Sequence, residues 1–99
     1  MDIRKKYPTR VPVIVTNKSG LTMKKNKYLV PETSTLGYFM TVLRKYIDGI
    51  EANQAIYIII DNHMPALQDL MSTLYLRHKN NNDQFLYVTL SAESAFGHT

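Results

Sequence analysis

The sequence predicts an α+β fold: one domain with a mixed four-stranded sheet, one main helix across it and a short second helix. Three observations lead there. The first half reads strand, turn, strand, from Arg10-Val11-Pro12-Val13-Ile14-Val15 to Lys27-Tyr28-Leu29-Val30-Pro31. Apolar residues at helical spacing follow, and two further β-rich runs then flank a second, shorter helical pattern. Ninety-nine residues with 44% hydrophobic content suit a single core and are too few for two.

Taken in order, Ile3-Arg4-Lys5-Lys6-Tyr7-Pro8 is a basic arm, and Pro8 disfavours helix at Tyr7. The β-branched density of Arg10–Val15 fits a strand covered on much of both faces. Pro12, which has no N–H, must sit near that strand's start or at an exposed edge position. Asn17-Lys18-Ser19-Gly20 is turn chemistry, and the connection through Leu21-Thr22-Met23 is longer than a tight turn. The return strand Lys27–Pro31 puts Lys27 and Leu29 on one side and Tyr28 and Val30 on the other, with Pro31 stopping the pairing. Lys24, Lys25 and Lys27 crowd its entrance, as on an edge strand, where lysine discourages stray pairing. Such an edge, with unpaired backbone groups and pockets either side, accepts an extended peptide as one more strand.

From Thr35, the residues Leu36, Phe39, Met40, Leu43, Tyr46 and Ile47 recur at helical spacing. Thr33, Ser34 and Thr35 are cap candidates, and Gly49 suits the C-terminal end of a helix of about 13 residues. Ala55–Ile60 is a nearly continuous apolar strand ended by the turn pair Asp61-Asn62. Leu67, Leu70, Met71, Leu74 and Tyr75 predict a second helix over Ala66–Arg77. Lys79–Asp83 then breaks the chain before a last strand, Phe85–Leu90. The order ββαβαβ is that of the ubiquitin-like β-grasp fold. A right-handed crossover would lay the main helix over the sheet, with Leu36, Phe39, Met40, Leu43 and Ile47 in the interface. A ferredoxin-like arrangement would require a longer second helix.

The net charge of +4 is unevenly placed. Residues 1–49 hold ten Lys or Arg against three acids, and residues 50–99 hold two against five. A basic half of this kind suits nucleic acid, acidic membrane or acidic peptide, and equally a solubilising surface. Zero cysteines exclude a disulfide scaffold, a thiolate metal site and a thiol nucleophile. Without an apolar run of membrane length or a signal-like N-terminus, the chain reads as cytoplasmic. His63, His78 and His98 lack metal-ligand spacing, so no metal is expected, and no catalytic motif or carboxylate pair points to an enzyme. Seven tyrosines fall mostly within apolar periodic segments, as core or pocket walls, and the strands carry no RNA-recognition signature.

The segments Ile3–Pro8, Arg10–Val15, Lys27–Pro31, Phe85-Leu86-Tyr87, Glu93-Ser94 and Phe96-Gly97 together resemble the GABARAP-type autophagy modifiers, the family of autophagy-related protein eight. That resemblance covers essentially the whole chain in uninterrupted order. It implies a ubiquitin-like domain over residues 10–91, a basic arm over 1–9 as the remnant of the family's N-terminal helices, and a flexible tail over 92–99 processed after Gly97. It also implies trimming by an autophagy cysteine protease and transfer by ubiquitin-type activating and conjugating enzymes. The product would be bonded to phosphatidylethanolamine on autophagic membranes, with no other cofactor and no nucleic acid. There the protein would recruit cargo receptors and autophagy factors carrying aromatic-x-x-aliphatic motifs. The alternative from another class is a basic polyanion-binding domain without conjugation, for nucleic acid or acidic lipid.

Carried over by motif, Ile3, Pro12, Lys25, Lys27, Leu29 and Phe85 would line a pocket for the peptide's aromatic anchor. Tyr28, Val30, Pro31, Phe39, Val42 and Leu43 would line an aliphatic pocket, and Arg10 and Arg44 would form a basic rim. Phe39 and Leu43 also lie on the helix face that packs on the sheet, so core and pocket wall both stay open for them. The departures from the family concern partners. An acidic pocket residue of the missing helices has no counterpart, Ser34 stands where leucine is common, and Leu90 replaces a frequent tyrosine.

Overall fold

In the computed structural model, which describes residues 3–93, the β-branched runs assemble into a four-stranded mixed sheet in which residues 27–31, 10–17, 86–92 and 56–59 lie side by side in that order. β1 (Arg10–Asn17) is antiparallel to β3 (Lys27–Pro31), with Val13 opposite Tyr28. On its other side β1 runs parallel to β6 (Leu86–Ala92), with Val13 opposite Leu86, and β5 (Ile56–Ile59) closes the far edge antiparallel to β6. The sheet is therefore the mixed one predicted, with β3 at an edge. Pro12 lies inside the sheet, third in β1 and buried. Val15 N–H donates to Asn26 O at 2.8 Å and Glu32 N–H to Thr9 O at 3.0 Å, so the odd residues of β1 direct their backbone groups into β3. Pro12 faces β6 instead, just before that pairing begins at Val13. The carbonyl its missing N–H would have served, that of Gln84, accepts the Tyr75 hydroxyl at 2.7 Å.

The main helix, α2 (Leu36–Arg44), is capped by Thr35, whose Oγ1 accepts the Tyr38 N–H at 3.1 Å. Its Leu36, Phe39 and Leu43 are fully buried with Val11, Val13, Leu86 and Leu90 of the sheet. Of the five side chains expected in this interface, only Met40 is partly exposed at its margin. The Phe39 ring meets Tyr28 edge to face at 5.5 Å, and Tyr28 meets Tyr46 in the same way at 5.7 Å.

Two helix boundaries differ from the periodicity, each because the backbone found a non-local partner. α2 ends at Arg44 and not near Asp48, with Lys45 and Tyr46 N–H groups turning back to Val42 and Leu43 carbonyls. Ile47–Asp48 then forms a short strand, β4, paired with β2 (Thr22–Met23) of the long β1–β3 connection. Ile47 still buries its side chain, which is why helical spacing included it. The second helix, α3 (Met71–His78), starts five residues later than Ala66. Residues 67–69 form a turn beneath the start of α2, closed by Asp69 N–H to Ala66 O at 3.0 Å, where Asp69 O accepts the Leu36 N–H at 2.8 Å and Leu67 O accepts the Gly37 N–H at 2.9 Å. These are orphan donors of a first helical turn, and satisfying them holds the segment out of a helix. Asp61 and Asn62 take the left-handed φ values of 48° and 67° that their turn requires.

Candidate functional site

Backbone parity decides what β3 can offer. Tyr28 and Val30 direct their N–H and C=O groups into β1, so those of Lys27 and Leu29 point away from the sheet. The side chains alternate in step, with Tyr28 and Val30 buried and Lys27 and Leu29 exposed. Arg10 reaches across this edge, its Nη1 donating to Leu29 O at 3.3 Å. An open strand edge with an apolar side chain standing beside it is a place for another extended chain to pair.

Beside that edge lies a cleft of about 400 Å³ lined by Ile3, Lys6, Tyr7, Lys25, Lys27, Tyr28, Leu29 and Phe85. Separate elements bring these together. The arm forms a single helical turn, α1 (Ile3–Lys6), closed by Tyr7 N–H to Ile3 O at 3.0 Å. Arg4 holds it to the domain through the Arg10 carbonyl, through Glu32 at 3.0 Å, and by a guanidinium stacked 5.2 Å from the Tyr75 ring. That orientation puts Ile3 and Lys6 on the cleft side, three residues apart on one turn. Phe85 is positioned by its N–H to Asp83 Oδ1 at 3.0 Å and its carbonyl to Asn80 N–H at 2.8 Å. The Tyr87 hydroxyl donates to the same Asp83 carboxylate, which lowers Asp83 and raises Tyr87 from their ordinary pKa ranges.

Tyr28 joins the cleft to the core. Its hydroxyl donates to Lys25 O at 2.6 Å, and Lys25 Nζ sits 5.1 Å from its ring and 5.3 Å from that of Tyr46. Burial, with a smaller contribution from the neighbouring Tyr46, pushes the Tyr28 phenol up to about 12.

Of the residues expected around the aromatic anchor, Ile3, Lys25, Lys27, Leu29 and Phe85 meet in this cleft. Pro12 is buried in β1 opposite Leu29, behind the wall. Lys6 and Tyr7 were missed, and reading the arm as a helical turn would have placed Lys6 next to Ile3. The second set is arranged differently. Tyr28 lines the first cleft, while Val30, Phe39 and Leu43 belong to the closed core at 4%, 0% and 0% exposure. Pro31 and Val42 are half-buried and form the accessible part of that side. Ser34, which stands where leucine is common, donates its hydroxyl to Pro31 O at 2.6 Å, and Leu90 is a core residue.

Arg10 stands at the β3 edge as a rim residue would, but Arg44 does not. Its guanidinium donates to Gln54 O at 2.8 Å, Glu51 O at 2.9 Å and Ala52 O at 3.2 Å, tying the end of α2 to the next loop. The tyrosines also divide. Tyr28 and Tyr75 are buried as expected, whereas Tyr38, Tyr57 and Tyr87 are exposed, because each occupies the solvent side of its helix or strand. Gly97 lies outside the described residues.

A family model described as "Autophagy protein Atg8 ubiquitin like" matches residues 1–97. Autophagy-related protein 8e of Arabidopsis thaliana is 47% identical over 98 residues, spanning 96% of this chain and 79% of that one. Autophagy-related protein 8 of Schizosaccharomyces pombe shares the same identity and coverage. Among solved structures, the crystal structure of Trypanosoma brucei ATG8 superposes with a TM-score of 0.83 at 32% identity, over 95% of this chain and 82% of that one. The ubiquitin-like fold read from element order is thus shown by structural likeness as well.

Proposed function

This chain belongs to the Atg8 family of ubiquitin-like autophagy proteins, and we propose that it is a modifier conjugated through Gly97 to phosphatidylethanolamine, docking aromatic-x-x-aliphatic peptides on autophagic membranes. The observation that carries the docking half is the cleft of Ile3, Leu29 and Phe85 beside the outward backbone groups of Lys27 and Leu29. A peptide added to β3 as a strand would place residues three apart on opposite sides, since successive side chains alternate. The aromatic anchor enters the Leu29 side. The aliphatic one rests on Pro31 and Val42, a shallow seat over the closed core of Val30 and Leu43.

Conjugation is supported by the family match, which ends on Gly97. The chain contains no cysteine, so a thioester or acyl-enzyme step at a thiol is performed by partners: a processing cysteine protease, and activating and conjugating enzymes of the ubiquitin type. Their substrate is this protein, which is not itself an enzyme. Two acyl chains give stable anchoring that one would not, so forming or cutting a single amide moves the protein between cytoplasm and autophagosome membrane. Cargo receptors and autophagy factors then bind the exposed edge.

Two anchors at ~1.5–3 kcal/mol each, with a few backbone hydrogen bonds at ~0.5–1.5 each, slightly exceed the cost of association. A dissociation constant in the micromolar range, about −8 kcal/mol, follows. Fluorescence anisotropy with labelled peptides tests this: replacing either anchor with alanine weakens binding at least about tenfold. Equal binding of a scrambled peptide, with affinity set only by salt, would show a polyanion-type surface instead.

A further inference from the structure

The charge pattern of the aromatic cleft exceeds what an uncharged ring needs. Lys6, Lys25 and Lys27 line it, and among the described residues no Asp or Glu does. Among the described residues none of the three has a carboxylate within ion-pair distance, whereas the adjacent Lys24 is paired with Asp48 at 3.3 Å. Two of the ammonium groups are held over rings that wall the cleft itself. Lys6 Nζ lies 5.5 Å from the Tyr7 centroid, and Lys25 Nζ lies 5.1 Å from that of Tyr28. A cation over a ring face keeps its N–H donors available, so these contacts position the charges without neutralising them. The volume of about 400 Å³ lies within the range of small-ligand pockets, and the apolar wall of Ile3, Leu29 and Phe85 suits one aromatic ring.

We infer that this cleft takes phosphotyrosine as its aromatic anchor in preference to unmodified tyrosine. The inference rests on the peptide-docking reading above and names the chemical class of the anchor. A phosphoryl group brings about −1.5 to −2 charge and three acceptor oxygens, enough to meet three ammonium groups at once. All three lysines are exposed. The phosphate therefore stays at the water boundary while the ring covers the apolar wall, and neither charge is buried at the cost that a closed site would impose.

The test uses the full chain and one peptide sequence with uncharged flanks and a fixed aliphatic anchor, carrying tyrosine, phosphotyrosine or alanine at the aromatic position. Anisotropy at low ionic strength is expected to show the phosphotyrosine peptide about tenfold tighter than the tyrosine one. The advantage shrinks as salt rises. The ratio of the two affinities, rather than either affinity, is expected to fall toward one in Lys27→Gln and in Lys6→Gln. Equal or weaker binding of the phosphopeptide, with tyrosine still favoured over alanine, would overturn this inference and leave peptide docking standing. Loss of the distinction between tyrosine and alanine would overturn the docking reading itself. An unchanged ratio in both lysine variants, or inorganic phosphate competing as well as the phosphopeptide, would also overturn the inference, reducing the site to a nonspecific anion patch.

Discussion

Replacing Tyr28 with phenylalanine should reverse in sign between neutral and alkaline pH. At neutral pH the variant loses one hydrogen bond, the 2.6 Å donation from the hydroxyl to Lys25 O, and with it about 0.5–1.5 kcal/mol. The ring contacts with Phe39 and Tyr46 survive. The wild-type phenol ordinarily titrates at 10.0 but is held protonated to about 12 by burial and by the nearby Tyr46. Unfolding frees it to ionise, so between those values the unfolded state binds fewer protons and stability falls as pH rises. This contribution is fully present below pH 10 and lost as pH passes 12, amounting to roughly 2–3 kcal/mol at most once solvent screening is allowed for. Phenylalanine lacks the titration. The two stability curves therefore cross, with wild type ahead by ~1 kcal/mol near pH 8 and behind by ~1–2 kcal/mol near pH 12. Urea unfolding followed by circular dichroism over this range measures it, and taking the difference between the two proteins removes the titration common to both. Parallel curves would refute the reasoning, because a phenol that ionises equally in both states carries no such dependence.

Phe39→Ala removes a fully buried ring and its contact with Tyr28, and is expected to cost ~3–5 kcal/mol, read as a fall in urea midpoint with an unchanged slope. Thr35→Ala deletes the acceptor for the Tyr38 N–H and should cost ~1 kcal/mol in the same assay, with asparagine at this position recovering most of it. Gly97→Ala is expected to leave fold and peptide affinity unchanged while abolishing or severely slowing the lipid-linked form, scored by its altered electrophoretic mobility in cells. Acidic residues flanking a peptide's aromatic anchor should add ~0.2–1 kcal/mol per contact with Arg10 or Lys25 at low salt, an increment that titration in rising salt removes.

The sheet was legible because its signals are local. β-branched runs give β1 and β5, alternation and lysines give the edge strand β3, and Asp61-Asn62 gives the turn. Where the sequence misled, a backbone group had found a partner far along the chain. Ile47 satisfies a helical spacing and a strand pairing with Met23 equally well, and nothing near Leu67 announces that its carbonyl will accept a hydrogen bond from the Gly37 N–H. The candidate site divides along the same line. Ile3, Lys25, Lys27, Leu29 and Phe85 entered as pocket residues through resemblance, although strand alternation alone already put Lys27 and Leu29 on one side of the edge strand. Lys6 and Tyr7 reach the cleft only because Arg4 fixes the one-turn helix. Arg44 entered as a rim cation through resemblance, and the three carbonyls of the 51–54 loop that hold it are not visible in sequence.

Backbone pairing along β3 is the central claim, and hydrogen exchange at single amides tests it most directly. Tyr28 and Val30 N–H groups are engaged with β1 in the free protein, while Leu29 N–H faces outward. Adding a saturating aromatic-x-x-aliphatic peptide should slow exchange at Leu29 by more than about tenfold, because the amide gains a hydrogen bond in an ordered strand. Tyr28 and Val30 should change far less. An unchanged Leu29 amide under saturation, with the peptide's effects confined to residues 50–80, would contradict the account.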